Sequence, residues 1–102
     1  MMDIREYLCL YLDKKKINRT ELTKKINNVE KKLGETRTVI ANVTNYLNGY
    51  HPLRFKTLAK WEVALGLLEG SLYKCVSPPS SSEGEKEFRE YLKKLREIRR
   101  NL

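Results

Sequence analysis

The chain has one histidine, two cysteines and no C-x-x-C pair. With so few soft ligands an ordinary zinc site is excluded. No run of 18 apolar residues occurs, which excludes a membrane-spanning helix. The opening stretch MMDIREYLCLYLDKKK has acid and base on both sides of a short apolar segment and no small-residue cleavage site, so it does not read as a secretory signal. A Gly-rich phosphate loop, a nucleophile elbow and a clustered Ser/His/Asp set are all missing. No catalytic residue, metal ligand or cofactor is therefore assigned, and an enzyme is not expected. Cys9 and Cys75 lie far apart, each among apolar residues, and read as reduced core thiols of a cytoplasmic protein.

Positive charge is what the chain has in excess. There are 21 Lys and Arg against 13 acids, a net charge of +8. Such a balance points to a polyanionic partner. The excess is uneven: residues 1–76 hold 14 basic and 8 acidic side chains, and residues 77–102 hold 7 and 5. The partner is therefore expected on the first part of the chain.

The stretch SPPSSSEGE, residues 77–85, can neither bury apolar area nor propagate a helix, and reads as a linker. It divides a domain over residues 1–76 from an amphipathic helix over residues 86–102. The apolar spacing predicts an all-α fold of five short helices plus that last one. Ile4, Leu8, Tyr11 and Leu12 form one stripe behind an Asp3/Glu6 capping box. Asn18 and Glu21 open a second helix with Leu22, Ile26, Val29 and Leu33 inward, ended by Gly34. In ETRTVIANVTNYLNG, Val39, Ile40, Val43 and Leu47 recur on one inner face, with Tyr46 beside them. Asn48-Gly49 is the strongest short hairpin signal available. No strand follows it, however, because after Pro52 the residues Phe55, Leu58, Trp61, Leu65 and Leu68 have helical spacing. Asn48-Gly49 is read as a helix stop, and EGSLYKCV as a closing helix or turn. Trp61 is assigned to the core. In the tail, Phe88, Tyr91, Leu95, Ile98 and Leu102 make a seam of two heptads, too short to pair stably alone. It can dock on its own domain or on a second copy; the linker lets it reach a partner, so dimerisation through these five residues is expected.

TELTKKI followed by VTNYLNGYHPLRFKTLAKWEVALGL resembles the helix-turn-helix domain of the phage λ-repressor/Cro-like (XRE-type) family. Leu22 opens the match, and Tyr46, Leu47, Asn48 and Gly49 supply the ending of the third helix. Leu58, Trp61, Ala64, Leu65, Gly66 and Leu67 supply the fourth, and Leu72 fits the fifth. Most of residues 3–76 are covered. The resemblance implies a bacterial or phage transcriptional regulator of repressor type, binding double-stranded DNA as a homodimer on an inverted repeat. The chain departs from the family by inserting NNVEKKLGE before the third helix, which either extends the second helix by about two turns or enlarges the turn. Thr23 stands where the family favours alanine.

A reader helix needs one apolar face to hold it down and one of short hydrogen-bonding side chains. The outward row of the third helix is Thr38, Ala41, Asn42, Asn45 and Asn48, with Arg37 near its start. Asparagine can pair with adenine, Thr and Ala can meet a thymine methyl, and Arg suits guanine. Base reading is assigned to Arg37, Thr38, Ala41, Asn42 and Asn45. Phosphate contact is assigned to Arg19, Thr20 and Lys24 at the start of the second helix, and to Asn48, Tyr50, His51, Arg54 and Lys56 around the helix stop. Solvated helix faces carry Lys and Glu at i,i+4 instead, as the tail helix does. Two rival readings are a protein-interaction module on the same scaffold, of antitoxin or phage-inhibitor kind, and non-specific nucleic-acid binding through charge. Lys14, Lys15 and Lys16 are read as a solvated face.

Overall fold

The structure, a computed structural model, describes residues 3–101. Among these the chain is all-α, with no strand. Helix α1 spans Ile4–Lys15, α2 Arg19–Leu33, α3 Ile40–Asn48, α4 Phe55–Leu65 and α5 Ser82–Arg100. No helix among the described residues is long and apolar enough to cross a membrane.

Both start residues cap their helices, although Asp3 takes the N–H of Arg5 instead of the Glu6 N–H that a capping box uses. The Asp3 carboxylate accepts from the Arg5 N–H, and Asn18 Oδ1 accepts from the Glu21 N–H at 2.8 Å. The stretch NNVEKKL continues α2, because Val29 and Leu33 prolong the stripe that Leu22 and Ile26 begin. Residues 35–39 then form an irregular connection to α3. Asn48-Gly49 is a helix stop: Gly49 has φ +90° and its N–H turns back to the carbonyls of Asn45 and Tyr46.

Trp61, 1 % exposed, sits in a core built with Leu8, Leu12, Leu22, Ile26, Val43, Leu47, Leu58 and Leu72. Gly66 closes α4, so Leu68 falls beyond the helix it was expected to share a face with and is 83 % exposed. The stretch read as a closing helix or turn forms a single 3₁₀ turn, Tyr73–Cys75. Glu62 holds that turn in place. Its carboxylate is fully buried and accepts from the N–H groups of Gly70 (2.9 Å), Leu72 (2.7 Å) and Tyr73 (2.8 Å). A turn without helical partners leaves such donors orphaned, and one carboxylate satisfies three. The two cysteines are free, but both are exposed. Apolar neighbours in sequence are not neighbours in burial: Cys9 lies about 100° around the helix from Leu8.

Two sequence-based expectations change at the tail. Ser81 Oγ accepts from the Gly84 N–H at 3.0 Å, and Glu83 and Glu85 stand in the first turn, favourable to the helix dipole. The helix therefore begins at Ser82, inside the segment read as linker. The seam is also occupied. Phe88, Tyr91, Leu95 and Ile98, together with Leu92, are buried against Val29, Ala59 and Val63 of α2 and α4. Leu102, the last residue assigned to dimerisation, lies outside the described residues. The groove between α2 and α4 offers this face an apolar partner without the entropy cost of bringing in a second chain. Phe88 adds edge-to-face contacts with Phe55 and Tyr73, at 4.7 and 5.1 Å between ring centroids. Arg96 adds a two-pronged ion pair with Glu69 at 2.7 and 2.8 Å.

Leu95→Ala is expected to lower the unfolding free energy by about 2–5 kcal/mol. The denaturation midpoint of the parent protein should not depend on protein concentration; a midpoint that rises with concentration would return the seam to a second copy. Glu62→Gln should cost about 2 kcal/mol, because whichever way the amide turns, its NH₂ meets a backbone N–H. An unchanged midpoint in chemical denaturation would remove the role given to this carboxylate.

Candidate nucleic-acid interface

Helix α3 reads IANVTNYLN and contains no charged residue. Val43 and Leu47 fix its inner face in the core. Tyr46 packs edge-on against Trp61, with ring centroids 5.7 Å apart. Both ends are tied. At the start, Glu30 near the end of α2 accepts from the Thr38 N–H at 2.8 Å and, in a very short contact, from the Thr38 hydroxyl. At the finish, Arg5 of α1 donates through Nε to the Tyr46 carbonyl at 3.0 Å and through Nη2 to the His51 carbonyl at 3.4 Å. Arg19, first residue of α2, donates to Asn48 Oδ1, last of α3, at 3.1 Å. The start of α3 is thus held to the far end of α2 and its finish to the near end.

The anchor at the start is a buried polar network. Glu30 is 2 % exposed and also accepts from Lys60 Nζ of α4 at 2.8 Å. Lys60 reaches Glu35 at 3.2 Å, and the Tyr91 hydroxyl of α5 donates to Glu35 at 3.4 Å. Burial alone would raise the Glu30 pKa, but the hydrogen bonds from Lys60 and Thr38 outweigh it and hold the carboxyl below its ordinary range. Burial would likewise lower that of Lys60, but Glu30 and Glu35 push it above the usual lysine value. Burial first, and then the Glu35 charge, raise the Tyr91 phenol far above its usual value, so it stays a neutral donor.

Around α3 the assigned residues sort into three groups. Ala41, Asn42 and Asn48 are exposed, and Asn45 is half-exposed with Thr44 beside it. Arg19, Thr20 and Lys24 are exposed at the start of α2, and Arg54 is exposed at the N-cap of α4. Asn42, Arg54 and Thr57 line a shallow cleft of about 300 Å³ with Tyr46, His51 and Pro52. Arg37 and Tyr50 are also exposed, Tyr50 at 77 %. Of these, Arg19 is joined to Asn48 and Arg54 shares the cleft with Asn42, which places both beside α3.

Others leave the set. Thr38 has both its N–H and its hydroxyl on Glu30 and is withdrawn from the face. His51 lays its ring against Tyr46, centroids 5.2 Å apart, and gives its carbonyl to Arg5, so it serves the fold. Lys56 points toward α5, its ammonium 4.7 Å from the centre of the Tyr91 ring. Val39 and Ile40, expected inward, are 56 % and 45 % exposed. Alternate residues of an extended segment face opposite sides. With Thr38 drawn in, Val39, itself extended at φ −94° and ψ 156°, turns out.

Sequence reasoning missed Arg5, Glu30, Glu35 and Lys60. Glu30 carried a signal, since it follows Val29 and stands four residues after Ile26, at the margin of the buried stripe of α2. Arg5 carried none; its partners are backbone carbonyls more than forty positions away. Among the described residues no three His, Cys, Asp or Glu side chains come together as a metal cage. The surface offers cations, amides and hydroxyls.

The network implies a pH dependence. A carboxyl whose folded pKa is depressed contributes stability above its ordinary value, 4.5 for Glu30, and loses it as pH falls through the folded value. Lys60, raised, contributes below 10.5 and loses its share as pH climbs through its folded value. Stability should therefore decline on the acid side below about pH 4.5, and Glu30→Gln should flatten that limb in stability-against-pH curves. An unchanged acid limb would show that Glu30 is not the responsible group. No protein-family model matches this chain, and no curated protein or solved structure is significantly similar to it.

Proposed function

We propose that the protein is a sequence-specific double-stranded DNA-binding regulator of the λ-repressor-like helix-turn-helix kind, with α3 as the reader helix in the major groove. The observation that carries this reading is the character of the α3 surface. A helix with no charge presents Ala41, Asn42, Thr44, Asn45 and Asn48 outward, in a chain whose net charge is +8. Short amides and hydroxyls suit base edges. Arg19 beside Asn48 and Arg54 beside Asn42 suit the phosphate backbones that border a groove, with Thr20 and Lys24 exposed near Arg19 at the start of α2. Arg19 is pre-oriented by Asn48. Rigid ties at both ends of α3 supply the fixed geometry that base reading requires. Regulation would be by occupancy, since no ligand or catalytic site accompanies the surface among the described residues. Two copies on an inverted repeat, with reader helices about 34 Å apart, belong to the reading and would come together on the DNA, since the α5 seam is filled within its own chain.

The rival reading, a protein-interaction module, has one observation in its favour: Tyr7 and Leu10 of α1 are 41 % and 55 % exposed. Selection from a random duplex library separates the two. Enrichment of a defined motif is expected, and none would favour the interaction module. On the selected duplex, Asn42→Ala with Asn45→Ala should cost more than ~1 kcal/mol while leaving random-sequence binding nearly unchanged. Lys24→Ala should instead weaken both alike and reduce the salt slope by about one. Equal loss on both duplexes for the asparagine pair would mean that this face does not read sequence.

A further inference from the structure

We infer that Val39 and Ile40 form a thymine-reading element, an apolar step at the entering end of α3 that takes the C5-methyl groups of one or two adjacent thymines. The inference rests on the DNA-binding reading above and adds a base preference to it.

Among the described residues, neither core cluster includes this pair. Val39 and Ile40 are 56 % and 45 % exposed. The display of Val39 is enforced. Glu30 holds both polar groups of Thr38 inward, which turns Val39 outward, and α3 begins at the next residue. Neither side chain caps the helix. Arg37 precedes them, Ala41 and Asn42 follow on the exposed surface, and no acidic residue occurs between Glu35 and the end of α3. The pair is too small for a stable protein interface, and its neighbours in sequence are a cation and amides. It is complementary to the major-groove edge of an A·T pair, where the thymine methyl is the one apolar group that any base presents. Its β-branched side chains are stiff and present methyl surface with little rotamer freedom to lose.

The test uses the full chain and the duplex it selects from a random library. Each thymine in turn is replaced by deoxyuridine, which removes only the methyl and leaves every hydrogen-bonding group. One or two adjacent positions should show an affinity loss of about three- to fivefold per methyl. The variant Val39→Ser with Ile40→Ser should bind the thymine duplex about as weakly as the parent binds the uracil duplex, with no further loss when both changes are combined. Asn42→Ala with Asn45→Ala should keep the uracil penalty. The serine variant should stay folded, since serine at the Val39 N-cap position offsets the loss of two half-exposed side chains, and its unfolding midpoint is measured alongside. Selection of a duplex that is indifferent to uracil at every position, or a serine variant that still discriminates against uracil, overturns this inference alone. Failure to select any duplex overturns it together with the DNA-binding reading.

Discussion

A single buried carboxylate, that of Glu30, sets the constraint on which the rest of the architecture depends. A charge taken out of water must be compensated by donors or it expels itself from the fold. Glu30 is compensated from two directions, by Thr38 ahead of α3 and by Lys60 on α4. Lys60 carries the connection on to Glu35, and Glu35 to Tyr91 on α5. One charge thus makes the path of the connection between α2 and α3, the position of α4 and the docking of α5 mutually dependent. Without it, residues 35–39 would have no strong reason to return toward α2.

Much of this was legible in the sequence because it is local. Asp3, Asn18, Gly34 and Gly49 mark helix ends through hydrogen bonds made within a few residues, and spacing identifies the buried stripes of α1, α2 and α4. What stayed hidden is long-range or depends on parity. Val39 and Ile40 fit a helical inner face on spacing alone, but Val39 precedes the helix and the bond from Thr38 to Glu30 turns it outward. Lys56 looked like a phosphate contact until the Tyr91 ring gave its charge another place to rest. The tail seam was recognisable as a seam, but two heptads do not say what covers them. The charge pattern marked the basic surface without showing that Arg5 is spent on backbone carbonyls.

The surface around α3 divides its chemistry by position. Cations stand at its borders on α2 and α4, amides and a hydroxyl occupy its centre, and an apolar pair stands at its leading end. Long flexible charges attract at a distance, whereas short neutral groups discriminate at contact. The interior obeys the opposite rule. Charges there, Glu30 and Glu62, are fully engaged and serve as fasteners for backbone that no helix satisfies.

The docking of α5 also has a meaning in time. Tyr91 and Glu35 are 56 positions apart, so the contact closes a long loop. Contacts of such separation form late, after the local helices have paired. Until α5 arrives, Val29, Ala59 and Val63 lie bare, and the nascent domain carries an adhesive stripe. In reverse, departure of α5 exposes that stripe first and releases Glu35 from Tyr91. The aim of α3 is then only as durable as the grip of a helix synthesised long after it.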